Sequence, residues 1–132
     1  AIKTYAKKGK TAEWITQRLE GKGKRNEFTS VLAKHGVERD GFRNCTNAIY
    51  SPLFGGDSNV VRASLGISKG VSIRDNLPGI QLDAIKFSES LAAHIITTNN
   101  LQGNAMCENA SYQASRNVSD MIIKTIKTPF KA

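Results

Sequence analysis

The chain has 132 residues with a net charge of +8, and 39% of the residues are hydrophobic and 23% charged. This length and balance predict a single globular domain and exclude a wholly disordered chain. No apolar run approaches the roughly 18 residues that a membrane-spanning helix needs. The opening residues also lack the apolar region of a secretory signal, so we expect a cytoplasmic protein with no membrane partner.

The positive charge is distributed unevenly along the chain. Residues 1–44 carry +6, residues 45–108 carry −1, and residues 109–132 carry +3. A basic end on a nearly neutral body indicates a polyanionic partner, and nucleic acid is the polyanion that a basic domain most often binds. We therefore expect nucleic acid, and DNA first, as the partner.

Apolar spacing predicts helices, and no stretch has the alternation typical of a strand. We expect a basic, flexible tail over residues 1–10 and a single helical domain over residues 11–132. Thr11 is the predicted N-cap of a first helix, which ends at Gly21. Residues 21–25 form a flexible, cationic link to a second helix, and a glycine ends that helix before a polar loop at residues 37–43.

The remaining helices follow from the same spacing. A short helix around Cys45 is ended by Pro52 and the Gly55-Gly56 pair. The next helix is capped by Asp57 or Ser58 and ends at Gly66. Pro78 opens a long central helix that runs to about residue 97. Its predicted core stripe is Ile80, Ala84, Phe87, Leu91 and Ile95, widened by Leu82, Ile85 and Ala92. A last helix carries an apolar series from Met106 to Ile126. The predicted fold class is all-α, a compact bundle of about five or six helices with a long central helix.

The residues that could carry catalytic or metal chemistry are scattered. The histidines and cysteines lack the spacing of a metal site, and we expect Cys45 and Cys107 to be free, mostly buried thiols. The sequence contains no nucleophile elbow and no phosphate-loop consensus, so it favours neither an enzyme nor a cofactor. A helical nuclease whose carboxylates cluster only in the fold is an open alternative.

The cationic link supplies the first candidates for a binding site. Lys22, Lys24 and Arg25 are long cations on an adaptable backbone, which suits contacts to phosphates without reading the base sequence. Six such contacts to duplex DNA would give a slope of log K against log salt of about −5. The alternative is a solvated link that only keeps the chain soluble.

Residues 60–77 have features of a helix-turn-helix. In that interpretation the second helix places Lys69 and Arg74 near the bases. The match is imperfect, because Arg62 occupies a position at which such motifs usually have a small residue. One alternative is a helical hairpin of the core. Another is that Arg74 and Asp75, next to Pro78, form an ion-paired N-terminal cap.

Residues 65–96 combine a Leu-Gly-Ile turn, a basic residue, an Arg-Asp pair and an acidic helix. The residues concerned are Leu65, Gly66, Ile67, Lys69, Arg74, Asp75, Leu82, Ile85 and Glu89. This segment, about a quarter of the chain, resembles a helical module of the phage antirepressor and Bro/KilA-type regulatory families. The Lys-Arg-Asn-Glu-Phe run at residues 24–28 is also similar to such proteins. The aromatic-rich N-terminal DNA-binding module that these families usually carry is absent from this sequence.

Together these features predict a small, basic regulatory protein of phage or mobile-element type that binds nucleic acid through its N-terminal third. The alternative is a protein-binding module, an antirepressor or inhibitor, that grips an acidic partner. An apolar helix face left exposed between Met106 and Ile126 would favour that alternative or a homodimer.

Overall fold

The computed structural model describes residues 5–6 and 8–130, which form helices and connecting loops without any strand. The α-helices are α1 (Ala12–Lys34), α2 (Asp40–Phe54), α3 (Ser58–Leu65), α4 (Gly79–Thr98) and α5 (Gly103–Ile126). A 3₁₀ turn, Arg74–Asn76, precedes α4. The central helix α4 packs against both α1 and α5, and α5 also packs against α2. The predicted all-α bundle with a long central helix is confirmed. None of the described helices is long and apolar enough to cross a membrane.

A single helix, α1, replaces two predicted helices and their link. It continues unbroken through Gly21 and Gly23, so the prediction of a flexible link at residues 21–25 is wrong. Each glycine costs a helix up to about 1 kcal/mol relative to alanine. Tertiary contacts outweigh that cost, because one arginine before the glycines pairs with Asp75 and one after them pairs with Glu89.

Several helix ends lie where local sequence signals place them. The Thr11 side chain accepts a hydrogen bond from the Trp14 backbone N–H and caps α1. Asp57 caps α3 by accepting hydrogen bonds from the backbone of its first turn. Gly66 ends α3 in a left-handed conformation, with φ 68°, which glycine adopts without steric cost. Pro78 is the residue directly before α4.

Helix α2 lies close to α5. It begins at Asp40, so the loop predicted at residues 37–43 is shorter than expected. Pro52 lies inside the last turn, and the helix ends at Gly55 of the predicted Gly55-Gly56 pair, which has a φ of 79°. Ser115 of α5 donates a hydrogen bond to the Ile49 carbonyl, and Ser119 donates to the Pro52 carbonyl at 2.7 Å. Small buried residues on α5 allow this close approach, namely Ala110, Ser111 and Ala114.

The buried face of α4 differs from the predicted stripe. Ile80 and Phe87 are 61% and 53% exposed, so their assignment to the core is wrong, although Ala84 is buried. Leu82, Ile85 and Ala92 are buried, as predicted. Glu89 and Ile96 are also buried, and Glu89 is the member of this face that the apolar pattern could not identify. Periodicity assigns a carboxylate to the surface, whereas two arginines allow this one to occupy the core.

Part of the predicted N-terminal tail packs against the bundle. Tyr5 is buried, and its ring meets the Trp14 ring edge-on with 5.2 Å between centroids. Its hydroxyl donates a hydrogen bond to Asp75 at 3.1 Å. The tail is therefore anchored beside the 3₁₀ turn at Tyr5. The rest of the tail prediction for residues 1–4 and 7 lies outside the described residues.

Candidate functional site

A carboxylate in the core organises the site. Glu89 of α4 is fully buried, and Arg74 donates hydrogen bonds to its two oxygens at 3.0 and 3.1 Å. Arg25 of α1 contacts the same carboxylate at 3.3 Å. Arg74 also donates through Nε to the Tyr50 hydroxyl at 3.1 Å. Burial disfavours the charged form of Arg74, but the adjacent Glu89 carboxylate outweighs burial, and the pKa of Arg74 is raised.

A second ion pair lies beside the first and holds the 3₁₀ turn against α1. Arg18 Nε contacts the Asp75 carboxylate at 2.8 Å, and the Tyr5 hydroxyl donates to the same oxygen. Burial alone would raise the pKa of Asp75, but the hydrogen bonds from Arg18 and Tyr5 lower it below its ordinary value. Lys22 stands nearby, with its Nζ 5.0 Å from the centre of the Tyr5 ring.

The loop of residues 66–73 is fixed by Arg62. Its guanidinium Nη1 donates to the Ser68 carbonyl at 3.0 Å and to the Val71 carbonyl. Lys69 lies between these two anchor points and is exposed. The bracing by Arg62 therefore fixes the loop that carries this exposed cation.

Two adjoining pockets lie beside this loop and share Ser72. The larger has a volume of about 570 Å³, and we call it the lysine pocket because Lys8 and Lys10 line it opposite the loop. The smaller has a volume of about 250 Å³. We call it the arginine pocket, because Arg25, Arg62 and Arg74 line it. Four hydroxyl-bearing residues complete its wall, namely Thr46, Tyr50, Ser58 and Ser72.

The structure brings some of the predicted site residues together and separates others. Lys22 and Arg25 lie on the side of α1 that meets the 3₁₀ turn and α4. Lys24 is directed elsewhere and pairs at 3.4 Å with a glutamate one turn later. Lys69 is exposed on the loop, whereas Arg74 is 9% exposed and is held by its ion pair.

Residues 60–77 do not form the predicted helix-turn-helix. After Gly66 the chain forms a loop and the 3₁₀ turn instead of a second helix, so neither Lys69 nor Arg74 lies on a recognition helix. The ion-paired alternative is confirmed in part: Arg74 and Asp75 are each ion-paired, with Glu89 and Arg18, but neither side chain caps α4. The sequence analysis did not predict the role of Arg62 in fixing the loop. The one sign of it was that Arg62 occupies a position where a helix-turn-helix usually has a small residue.

The groups that could serve metal or acid–base chemistry have structural partners. No cluster of His, Cys, Asp and Glu within the described residues could hold a metal ion. The His35 ring lies 2.9 Å from the Leu101 carbonyl oxygen. Cys45 and Cys107 are both buried, as predicted, and free. Asp83 pairs with Lys86 at 3.3 Å, whereas Glu89 pairs with Arg25 and Arg74.

The chain was compared with known proteins. No protein-family model matches it. A stretch of 103 residues, 78% of the chain, is 27% identical to DNA damage response protein C of Deinococcus radiodurans. The chain spans 43% of the length of that protein.

Proposed function

We propose that this protein binds nucleic acid, with DNA as the first candidate, through one basic face. The observation that carries the proposal is the convergence of cations from separate parts of the chain on the loop of residues 66–73. The basic face consists of Lys8, Lys10, Lys22, Arg25, Arg62 and Lys69. Such a surface suits the phosphate backbone, which supplies most of the sequence-independent affinity for nucleic acid.

The similarity to a DNA damage response protein supports a role connected with DNA. The finer proposal, a regulator of phage or mobile-element type, rests on the resemblance of residues 65–96. Most residues of that resemblance build the bundle, since Leu82 and Ile85 lie in the core and Glu89 binds two arginines. Lys69 is the exposed cation among them. A cytoplasmic location is part of the same proposal, because that is where such a regulator would meet its DNA.

A salt series of binding to labelled duplex DNA tests the proposal. If six cations engage phosphates, the slope of log K against log salt is about −5. The test variant is Lys10→Ala/Lys22→Ala/Lys69→Ala, which removes three cations that form no ion pair in the described structure. Each phosphate contact contributes about −0.9 to the slope, so the three contacts that remain should give a slope of about −3.

The matched control is Lys34→Ala/Arg43→Ala/Lys124→Ala, which removes the same amount of charge from other parts of the surface. This control should keep a slope close to that of the wild type. Equal flattening in the two variants would mean that net charge, and not the basic face, governs binding. Failure of the wild type to bind at low salt would refute the proposal. Binding to an acidic protein that competitor DNA does not disturb would support the protein-binding alternative.

Self-association is a second candidate function, because an apolar groove lies open between α4 and α5. Ile80, Phe87 and Met121 line this groove and are 61%, 53% and 55% exposed. We propose a second copy of this chain as its occupant. Asp83 of α4 lines the groove, and Lys124 lies three residues after Met121 on α5. In an assembly of two copies related by a twofold axis, Asp83 of each copy can pair with Lys124 of the other.

Light scattering tests this assembly by measuring molar mass against protein concentration. We expect the wild type to form dimers and Phe87→Ser to stay monomeric with unchanged helical content. A wild type that remains monomeric at its highest soluble concentration would exclude the homodimer.

A further inference from the structure

The arginine pocket contains more positive charge than its internal pairs neutralise. Arg25, Arg62 and Arg74 line it, and none of its lining residues is acidic. Glu89 behind the wall balances a single charge through Arg25 and Arg74. Two positive charges therefore remain uncompensated at the pocket, whereas the adjoining lysine pocket contains an aspartate, Asp75, in its own wall.

Hydrogen-bond donors are also available there. Within the described residues, Arg25 uses a single Nη1 contact to Glu89 and is one-third exposed. In the part of the chain that the structure describes, Arg62 donates through Nη1 to loop carbonyls, and its Nε and Nη2 groups have no acceptor there. These groups are donors that a ligand can use. Hydroxyl groups of Ser58 and Ser72 line the same space. Planar guanidinium groups beside hydroxyls recognise the oxygens of phosphate groups well.

Size limits the ligand to a small anionic group. The pocket volume of about 250 Å³ is below the range of about 300–1,000 Å³ typical of sites that enclose a whole small molecule. A phosphate monoester carries a charge of about −2 near neutral pH, which matches the excess charge of the pocket. An internal phosphodiester carries a single negative charge and is flanked by sugars on both sides, so it fits this concave site less well.

We propose that the arginine pocket binds a phosphate monoester, supplied as the terminal phosphate of a nucleic acid strand. The strand as the source rests on the function proposed above. Ser72 joins the arginine pocket to the lysine pocket, so a strand whose end occupies the first finds further cations along the second. Grooves that follow a single strand combine such cations along the backbone.

Fluorescence anisotropy with single-stranded oligonucleotides of one sequence tests the inference. One pair differs only in carrying a phosphate or a hydroxyl at the 5′ end, and a second pair differs in the same way at the 3′ end. We expect one phosphorylated end to bind about tenfold more tightly than its hydroxyl counterpart, as charge-assisted hydrogen bonds to arginine would give. Arg25→Gln and Arg62→Gln should each abolish that preference.

Lys34→Gln is the control, because it removes one exposed cation outside both pockets and should keep the preference. Circular dichroism confirms that each variant is folded, and Arg25→Gln leaves the bracing of the loop by Arg62 intact. Equal binding of phosphorylated and hydroxyl strands would overturn this inference while salt-dependent binding still supported the proposed function. Thymidine 5′-monophosphate that bound as tightly as the strand would assign the pocket to free nucleotides instead. A phosphoserine peptide that bound more tightly than the strand would also overturn it.

Discussion

Removal of the buried Glu89 carboxylate should cost more stability than removal of any surface charge of this protein. Arg74 donates two charge-assisted hydrogen bonds to it, and Arg25 adds a longer one. Each hydrogen bond to a charged group contributes about 1.5–3 kcal/mol, but Arg25 is one-third exposed and water can replace its contact. The Arg74 contacts therefore dominate. For Glu89→Gln we expect a loss of about 3–5 kcal/mol, because Arg74 is left as a buried, unbalanced charge.

Urea denaturation followed by circular dichroism measures this loss. For a domain of this size, about 3–5 kcal/mol corresponds to a fall of roughly 10–20 °C in the melting temperature. Arg25→Gln is the contrast and should cost about 1 kcal/mol or less, since its contact lies near solvent. The double variant Glu89→Leu/Arg74→Met should regain most of the stability, because an apolar pair leaves no buried charge. A loss below about 1 kcal/mol for Glu89→Gln would refute this account of the core.

Three further predictions concern other parts of the fold. Burial, reinforced by Cys107, raises the pKa of Cys45 to about 11. Cys45 should therefore react with a thiol reagent at pH 8 only after unfolding. The rate of this reaction, measured at increasing urea concentrations, tests the expectation. The pKa of Asp75 is lowered in the folded state, so its stabilising contribution is present above its ordinary pKa of 3.8 and is lost as pH falls through the lower value. Asp75→Asn should reduce the acid sensitivity of the melting temperature. Gly21→Ala and Gly23→Ala should each stabilise the protein by about 0.5–1 kcal/mol, because an added Cβ meets no atom at either position, and a lower melting temperature would contradict this.

Local sequence signals predicted most helix ends but failed where distant contacts decide the structure. Thr11, Asp57 and Gly66 act through their own backbone neighbourhood, so the sequence around each of them is sufficient. The glycines at 21 and 23 locally favour a break, and the contacts that override this preference come from residues more than 50 positions away. Analysis of one segment at a time cannot identify such distant partners.

The candidate site was predictable in its charge and not in its geometry. The excess of cations in the first third of the chain pointed to Lys22 and Arg25, which do lie beside the two pockets. Helical geometry directs the intervening Lys24 to another side, and that follows only once α1 is known to be continuous. Arg62 joins the site because the loop folds back over it.

The cations of the basic face, and Arg74 beside them, differ in what they do for the fold. Lys10, Lys22 and Lys69 form no ion pair within the described residues, so binding can be altered at these positions with little change in stability. Arg74 is committed to Glu89 and Tyr50, so its loss would first be felt as unfolding. Arg25 contributes both to the fold and to the pocket. One of its nitrogens contacts the buried Glu89 carboxylate, and the residue also lines the arginine pocket. A ligand anion in that pocket would compete with Glu89 for Arg25. Because Arg25 lies on α1 and Glu89 on α4, this competition couples ligand binding to the packing of the two helices.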